Sequence, residues 1–423
     1  MSDAQQWMGN IRRYPWYLFF RDCYFWGPAF FLYFASVLPL NQVLWLEAIY
    51  YVGVAVFEVP SGYLSDRFGR RWTLILSSAC LAAAYLLFFV GTRFATFAAA
   101  QVILAAGFAA ASGTDTSLHF ESLKGAGLSS EYAAREGKAL RFSFLGGAGA
   151  ALVGGLIATG HLRWVYGASF LTALVSLGIA FAMIEPEKGH ESASPMGTQV
   201  VELVKKSWTP RLRFFTIYVV GMTILVHLPY EFYQPYIGSL AGGSFGASTP
   251  AIAGGHLAIT MVVGAWCTRF AGRFTHRCTM RRTLVACTLI QVVLVAAMAL
   301  WVHPLVAVLL MGRTAGKAIY LPLINAEVSP LLRRHQRSTY LSLQSLAGRL
   351  AYSFVLVLLP MGSLLARGGL HGTLVCSAVL GSSFLVLIVL LPFPREPHHI
   401  CCSDHKPPMA SPFRSLIMKR RGG

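Results

Sequence analysis

A succession of twelve apolar stretches constrains this chain more than any other feature of its sequence. A segment of about 20 mostly apolar residues is long enough to cross a bilayer as a helix. Within lipid the backbone polar groups need internal partners, so only helices and closed barrels are possible. The stretches are too long for barrel strands and lack strict alternation, so each predicts a transmembrane helix. The predicted spans are 16–38, 42–65, 72–92, 94–118, 142–160, 162–184, 213–236, 250–270, 283–302, 304–325, 339–362 and 371–393.

The composition excludes an ordinary soluble domain. Hydrophobic residues make up 55% of the chain and charged residues only 12%, whereas roughly 25% of a soluble domain is charged. The net charge of +18 does not indicate nucleic acid, because the lysines and arginines lie in short gaps between apolar stretches. We therefore expect the lipid bilayer as a partner and no nucleic acid.

The distribution of Lys and Arg predicts the topology. With the N-terminus placed inside, 28 of the 35 basic residues fall on the inside, three fall in outside loops, and four lie within spans. Basic residues concentrate on the cytoplasmic side of membrane proteins. We expect both termini in the cytoplasm, and the compact loops favour a multi-pass protein of a bacterial inner membrane.

The chain divides into two halves of six spans each. The longest polar stretch between spans separates them, and similar phrases follow the second span of each half, beginning at Gly62 and at Gly272, 210 residues apart. Duplicated halves are typical of transporters that rock one half against the other. The predicted units are an N-terminal bundle (1–184), a cytoplasmic linker (185–212), a C-terminal bundle (213–394) and a basic tail (395–423).

The phrase from Gly62 to Arg71, read with the twelve spans and the half-length repeat, resembles the signature loop of the major facilitator superfamily. The resemblance implies an all-α membrane protein with twelve transmembrane helices in two pseudo-symmetric six-helix bundles. It also implies that this loop latches the halves together on the cytoplasmic side. In the second phrase His276 stands in place of Asp66, which predicts a poorer latch. The implied latch residues are Gly62, Asp66, Arg67, Gly69, Arg70 and Arg71.

The fifth span carries glycines in the register of a pattern found in proton-driven exporters of the same family. Gly137, Gly146, Gly154 and Gly155 fit it, while Ala150 and Ala151 stand where the pattern has Gly-Pro. The retained register favours export. Close helix packing is the alternative explanation for these glycines.

Charged residues cluster in the spans of the N-terminal half. Ionisable groups inside a bilayer are costly and mark functional sites by default. In the resembled family helices 1, 4, 7 and 10 line the cavity, so Asp22 and Asp115 would face the pathway, and Asp22 or Asp115 would carry the proton. The alternative is a fixed network that pairs Arg21 and Arg141 with Asp22, Glu58 and Asp115, and that serves as a conformational gate.

The C-terminal half has the opposite sign of charge. Arg313 and Lys317 lie one turn apart in the tenth span, and Arg349 lies near the middle of the eleventh. These cations predict binding of an anionic or amphipathic solute, unless Glu231, Glu327 or the acidic N-terminal half neutralises them. Three further candidate solute-binding residues lie toward the outer end of the seventh span: His227, Glu231 and Tyr233.

These observations predict a monomeric, proton-coupled secondary transporter of a small organic solute, working by alternating access, with export favoured. There is no phosphate loop for ATP, and we expect no cofactor and no catalytic residues. Histidines and cysteines between His398 and His405 fit no established metal site. The alternatives are an uptake permease, a non-transporting sensor, or a membrane enzyme on the same fold.

Overall fold

The computed structural model describes residues 3–185, 195–240, 249–277, 279–365 and 369–394, and all regular secondary structure within them is helical. Each of the twelve predicted spans coincides with one helix or with two consecutive helices. Those of the N-terminal half are α1 (Asp3–Arg21), α2 (Phe30–Val37), α3 (Leu40–Phe68), α4 (Arg70–Val90), α5 (Phe94–Ala111), α6 (Thr114–Gly125), α7 (Tyr132–Gly160) and α8 (Trp164–Ala182).

The second half follows a short helix of the predicted linker. The helices are α9 (Met196–Ser207) in the linker, then α10 (Pro210–Leu240), α11 (Thr249–Arg277), α12 (Met280–Leu300), α13 (Pro304–Leu309), α14 (Ala315–Val328), α15 (Arg337–Leu365) and α16 (Gly369–Leu390). The division at residues 184 and 213 stays a prediction, and the tail from residue 395 lies outside the described residues.

The helices have the length and surface of membrane spans. Nine helical stretches in the described part of the chain are long and apolar enough to cross a bilayer. The more polar second and eleventh spans are α3 and α15, each 29 residues long, or about 44 Å at 1.5 Å per residue. Large apolar side chains such as Leu171, Val379 and Trp266 face outward. The chain is therefore a multi-pass membrane protein.

Three predicted spans are broken, and their prediction as continuous helices was wrong. The first span ends as a helix at Arg21 and resumes at Phe30, with Pro28, which has no backbone N–H, in the gap. The fourth is interrupted at Gly113, whose φ of +70° favours glycine. The tenth changes to a tight turn at Leu310–Gly312 before α14 begins.

The two halves meet along two helix pairs, α7 with α11 and α3 with α15. Glycines permit the close approach of the first pair: a Cβ on Gly254 would lie 2.5 Å from the carbonyl oxygen of Ala151. Gly154 faces the backbone of Phe25 in the same way, at 2.1 Å. Packing therefore accounts for Gly146, Gly154 and Gly155 of the fifth span, and the relation of the glycine register to export stays a prediction.

Candidate functional site

Each of the three helix breaks has a charged residue at or beside it. Asp22 directly follows α1, Asp115 lies in the first turn of α6, and Arg313 lies between the turn after α13 and the start of α14. Non-helical backbone at membrane depth is tolerated where protein or a water-filled cavity surrounds it. Transporters bind solutes and coupling ions at discontinuous helices of this kind.

Arg21 joins the first and second of these breaks. Its Nε donates to Asp22 Oδ1 at 2.8 Å, and its Nη1 donates to Asp115 Oδ2 at 2.6 Å. Asp22 also accepts hydrogen bonds from the hydroxyls of Tyr24 at 2.7 Å and Ser143 at 2.6 Å. One guanidinium thus pairs with two carboxylates, that of Asp22, the next residue in the chain, and that of Asp115 in the neighbouring helix α6.

The structure brings together only part of the predicted charge network. Arg21, Asp22 and Asp115 form one cluster, as the fixed-network interpretation requires. Arg141 lies apart from it, with its Nε donating to Thr268 Oγ1 of α11 at 3.1 Å. Glu58 also lies elsewhere, because it faces the C-terminal half.

Glu58 connects α3 with α15. Its side chain is fully buried, accepts a hydrogen bond from Ser112 Oγ at 2.5 Å, and lies 4.0 Å from Arg349 Nε. The Arg349 side chain is 38% exposed and also contacts Ser345 Oγ at 3.4 Å. A buried carboxylate of one half therefore faces a partly exposed guanidinium of the other.

Lys317 and His227 share this region with Arg349. Lys317 is exposed, yet it interacts electrostatically with Asp22 across the two halves and with Arg349. It therefore lines a space enclosed between the halves. His227 Nδ1 donates to the carbonyl oxygen of Thr223 at 2.7 Å, and its ring lies 5.0 Å from that of Tyr352.

The other predicted solute-binding residues are not brought to this space. Arg313 is buried, and its Nη1 contacts Thr260 Oγ1 at 3.0 Å and His256 Nδ1 at 3.4 Å. It therefore packs within the C-terminal half. The side chains of Glu231 and Tyr233 lie outside the described residues.

The residues of the predicted latch loop contact the second half of the chain, and their role as a latch stays a prediction. Asp66 accepts the backbone N–H groups of Ser338 at 3.2 Å and Thr339 at 2.8 Å, in the first turn of α15. A carboxylate is favourable there because the first N–H groups of a helix lack internal partners. Gly62 approaches α15 so closely that a Cβ would lie 2.7 Å from Ser342 Oγ. We call this end of the bundle the Asp66 end.

Arginines of the loop extend these contacts. Arg70 Nη2 donates to the carbonyl of Arg334 at 2.7 Å and lies 3.4 Å from Asp66 Oδ1. Burial, together with the Arg70 guanidinium, lowers the pKa of Arg334. Gly69 makes the turn into α4 with a φ of +125°, while Arg67 contacts the hydroxyl of Tyr63 at 2.8 Å within its own helix. The corresponding side chains of the second phrase, from 272 to 277, lie outside the described residues.

Two acidic residues at the Asp66 end were not anticipated from the sequence. Glu185 accepts the backbone N–H groups of Arg70 at 2.9 Å and Arg71 at 2.7 Å, so it caps the start of α4. Glu136 accepts from Tyr14 at 3.2 Å and lies 2.5 Å from His119 Nδ1. Both residues lie just outside the predicted spans, where acidic residues are common in loops, so the sequence did not indicate these contacts.

Glu121 adds a further link between the halves. Its carboxylate pairs with Arg337 at the start of α15 and lies 3.8 Å from Arg334. The Asp66 end is therefore closed by charged and polar contacts on both sides of α15.

Comparisons with known proteins agree with this architecture. The family model described as Major Facilitator Superfamily matches residues 18–356. Among solved structures, the human organic anion transporter MFSD10 (TETRAN) is 15% identical with a TM-score of 0.70, covering 90% of this chain and 99% of that one. The E. coli fucose:proton symporter FucP is 16% identical with a TM-score of 0.67, covering 92% and 100%. A comparison with curated sequences gives no significant match.

A third structure of the same fold is that of the nucleoside transporter NupG. It is 12% identical to this chain with a TM-score of 0.65, covering 90% of this chain and 99% of that one. The solutes named for these three proteins are an organic anion, a sugar and nucleosides. The shared fold therefore leaves the solute to be argued from the residues of the site.

Proposed function

We propose that this chain, which belongs to the Major Facilitator Superfamily, moves a small organic anion across its membrane by alternating access, coupled to protons. The observation that carries the proposal is the placement of Lys317 and Arg349. Both cations face the space between the halves. Arg349 has the Glu58 carboxylate at 4.0 Å, and Lys317 has no ion pair within 4 Å in the described part of the chain. Charge at this depth is costly unless a partner is supplied.

A carboxylate or phosphate group of the solute would supply that partner. Arg349 offers a planar fork suited to such groups, and Lys317 offers a point charge. His227, which interacts electrostatically with both, adds a nitrogen at the same place. The name of MFSD10 as an organic anion transporter supports this solute class, whereas FucP and NupG are named for a sugar and for nucleosides.

Glu58 is the predicted gating residue best placed to carry the proton. Asp22 receives hydrogen bonds from Arg21, Tyr24 and Ser143, and donors of this kind favour an ionised carboxylate. Glu58 accepts a hydrogen bond from the Ser112 hydroxyl, and its carboxylate lies 4.0 Å from Arg349 Nε. Protonating Glu58 would free Arg349 for the solute, while Arg21, Asp22 and Asp115 would act as a fixed support.

The contacts of the Asp66 end form the gate of the proposed cycle. In this structure that gate is closed. This gate opens when α15 separates from the carboxylates of Asp66 and Glu121. Closure of the opposite end of the bundle would then complete the change in access to the bound solute. We place the Asp66 end in the cytoplasm of a bacterium and the protein in its inner membrane, in agreement with the distribution of basic residues.

An uptake permease is the second candidate function. The glycine register of α7 favours export, but the Glu58–Arg349 contact favours uptake. If one proton and one anion bind to the same state, both move in the same direction, and an inward proton gradient then drives accumulation.

Flux into proteoliposomes tests the proposal. Vesicles that contain the purified chain would be offered radiolabelled carboxylates, phosphorylated compounds, sugars and nucleosides, with and without an imposed pH gradient. We expect flux of an anionic member of this panel that responds to the gradient. Flux of neutral solutes only would contradict the anion assignment. Absence of any flux, with product formation instead, would favour a membrane enzyme.

A further inference from the structure

A groove on the flank of the C-terminal half lies outside the transport pathway. It runs between the linker helix α9 and the first turns of α10 and α15, and it encloses a cavity of about 290 Å³. The lining is apolar except near one end. Its principal residues are Leu203, Trp208, Arg213, Tyr340, Ala347 and Leu350.

The groove faces away from the other half of the protein. At roughly 100° per helical residue, Leu343, Ala347 and Leu350 lie about 150° around α15 from Ser345 and Arg349. Arg349 faces Glu58 of α3, so the groove residues of α15 face outward. An occupant of the groove therefore meets the surrounding membrane and not the space that holds Lys317.

The length of the groove matches the hydrocarbon thickness of one leaflet of the bilayer. From Tyr340 to Leu350 the lining follows α15 for ten residues, or about 15 Å, which is half of the hydrocarbon core of roughly 30 Å. Leu350 is 54% exposed at the deep end, and Trp208 is 64% exposed at the shallow end. Tryptophan favours the level of the lipid headgroups, so the shallow end lies at the membrane surface.

The shallow end is positively charged. Arg213 lines it, and no hydrogen bond or ion pair joins the Arg213 side chain to another residue in the part of the chain that the structure describes. Its neighbour Arg211 lies 3.8 Å from Glu327. Burial and the nearby Arg333 lower the pKa of Lys206 on α9, whereas Glu202 raises it. Basic residues at the membrane surface attract anionic lipids.

We infer that this groove binds an anionic phospholipid, with one acyl chain along α15 and the headgroup phosphate at Arg213. The inference does not depend on which solute the protein transports. The linker helix α9 has one apolar side chain toward the bundle and others toward the membrane: Leu203 is buried, whereas Val204 and Trp208 are exposed. Helices with this amphipathic pattern lie in the membrane interface.

A second groove provides the matched comparison. It lies between α12 and α16, encloses about 430 Å³, and is lined by apolar and hydroxyl side chains without a charged residue among the described ones. Lipid can fill both grooves, but only the first offers a cation to a headgroup. Selectivity for anionic lipid is therefore expected only at the first.

Native mass spectrometry of the full chain released from nanodiscs tests the site. The nanodiscs would contain equal amounts of phosphatidylcholine and phosphatidylglycerol. We expect the wild-type chain to retain phosphatidylglycerol preferentially. Arg213→Gln should reduce that retention about fivefold, the contribution of one cation near the surface. Ala347→Trp should remove it by filling the groove.

Two control variants separate the site from general effects. Lys138→Gln removes an exposed cation elsewhere at the Asp66 end, and Ala378→Trp fills the uncharged groove; both should retain phosphatidylglycerol as the wild type does. Equal retention of the two lipids by the wild type would overturn the inference. So would unchanged retention by Arg213→Gln, a half-exposed position where misfolding is not expected, whatever Ala347→Trp does.

Discussion

The carboxylate of Asp66 accepts the backbone N–H of Thr339 at 2.8 Å and also its side-chain hydroxyl at 2.8 Å. Asp66 belongs to α3 of the first half, and Thr339 belongs to the first turn of α15 in the second half. A side chain of one half thus serves as the cap of a helix in the other. Closure of the Asp66 end depends on this contact, because α15 has no nearer carboxylate at its first N–H groups among the described residues.

Asp66→Asn should weaken closure of the Asp66 end. The variant loses the negative charge at the start of α15, an effect of about 1 to 2 kcal/mol in a partly buried setting. Spin labels at the exposed positions Lys138 and Arg282 would report the distance between the halves at this end. We expect a longer and broader distance distribution than in the wild type. Glu131→Gln, which removes an exposed pairing with Arg135, should leave the distribution unchanged.

Gly62→Ala should hinder the same closure by contact. The added Cβ would lie 2.7 Å from Ser342 Oγ and 2.9 Å from Ser342 Cβ. The double variant Gly62→Ala with Ser342→Gly should recover part of the closed population, which makes the pair non-additive. Gly149→Ala is the control, because nothing lies within 4 Å of its added Cβ. Equal spin-label distances in the single variant and the wild type would contradict the argument.

Much of the fold follows from the sequence for simple physical reasons. Apolar stretches of about 20 residues have few alternatives to spanning a bilayer, so the helices were predicted. The latch loop was proposed from its resemblance to the family's signature loop, and Gly62, Asp66 and Gly69 suit it locally with a close approach, a helix start and a turn. The pairing of Arg21 with Asp22 and Asp115 was open to prediction because so few charges share that depth.

The remaining details depend on contacts that no local pattern encodes. The helix breaks beside Asp22 and Arg313 arise where helices pack around an internal space, and a glycine or proline in an apolar stretch does not by itself indicate a break. Arg313 was expected in the solute site, but it lies before the start of α14 and contacts His256, whereas Lys317 lies within α14 and interacts electrostatically with Asp22. Glu185 reaches the start of α4 across more than a hundred residues.

Arg21→Gln should destabilise the protein. The change leaves Asp22 and Asp115 close together without their shared guanidinium, and removing one partner of a buried ion pair costs about 3 kcal/mol or more. We expect a lower midpoint of thermal unfolding in detergent. Adding Asp115→Asn should recover part of the loss because it removes one uncompensated carboxylate. A double variant no more stable than Arg21→Gln would show that the cluster does not act through charge.

Glu58→Gln should uncouple solute movement from the pH gradient. Glutamine mimics the protonated carboxyl, so it no longer holds Arg349 when the pH rises. In the wild type the freed Arg349 becomes available as the pH falls, and anion binding should strengthen in that direction. The variant should bind the anion equally at both ends of the pH range and exchange it across vesicles without accumulating it. A pH dependence equal to that of the wild type would contradict the assignment of Glu58.

The anion site itself is tested most directly by flux measured in three charge variants. Lys317→Gln and Arg349→Gln each remove a cation from the space between the halves, whereas Lys138→Gln removes an exposed cation at the Asp66 end. In proteoliposomes that move an organic anion, the first two should lower the flux at least about tenfold, as expected for a contact of about 1.4 kcal/mol or more, and Lys138→Gln should not. Full flux in both Lys317→Gln and Arg349→Gln would contradict the account.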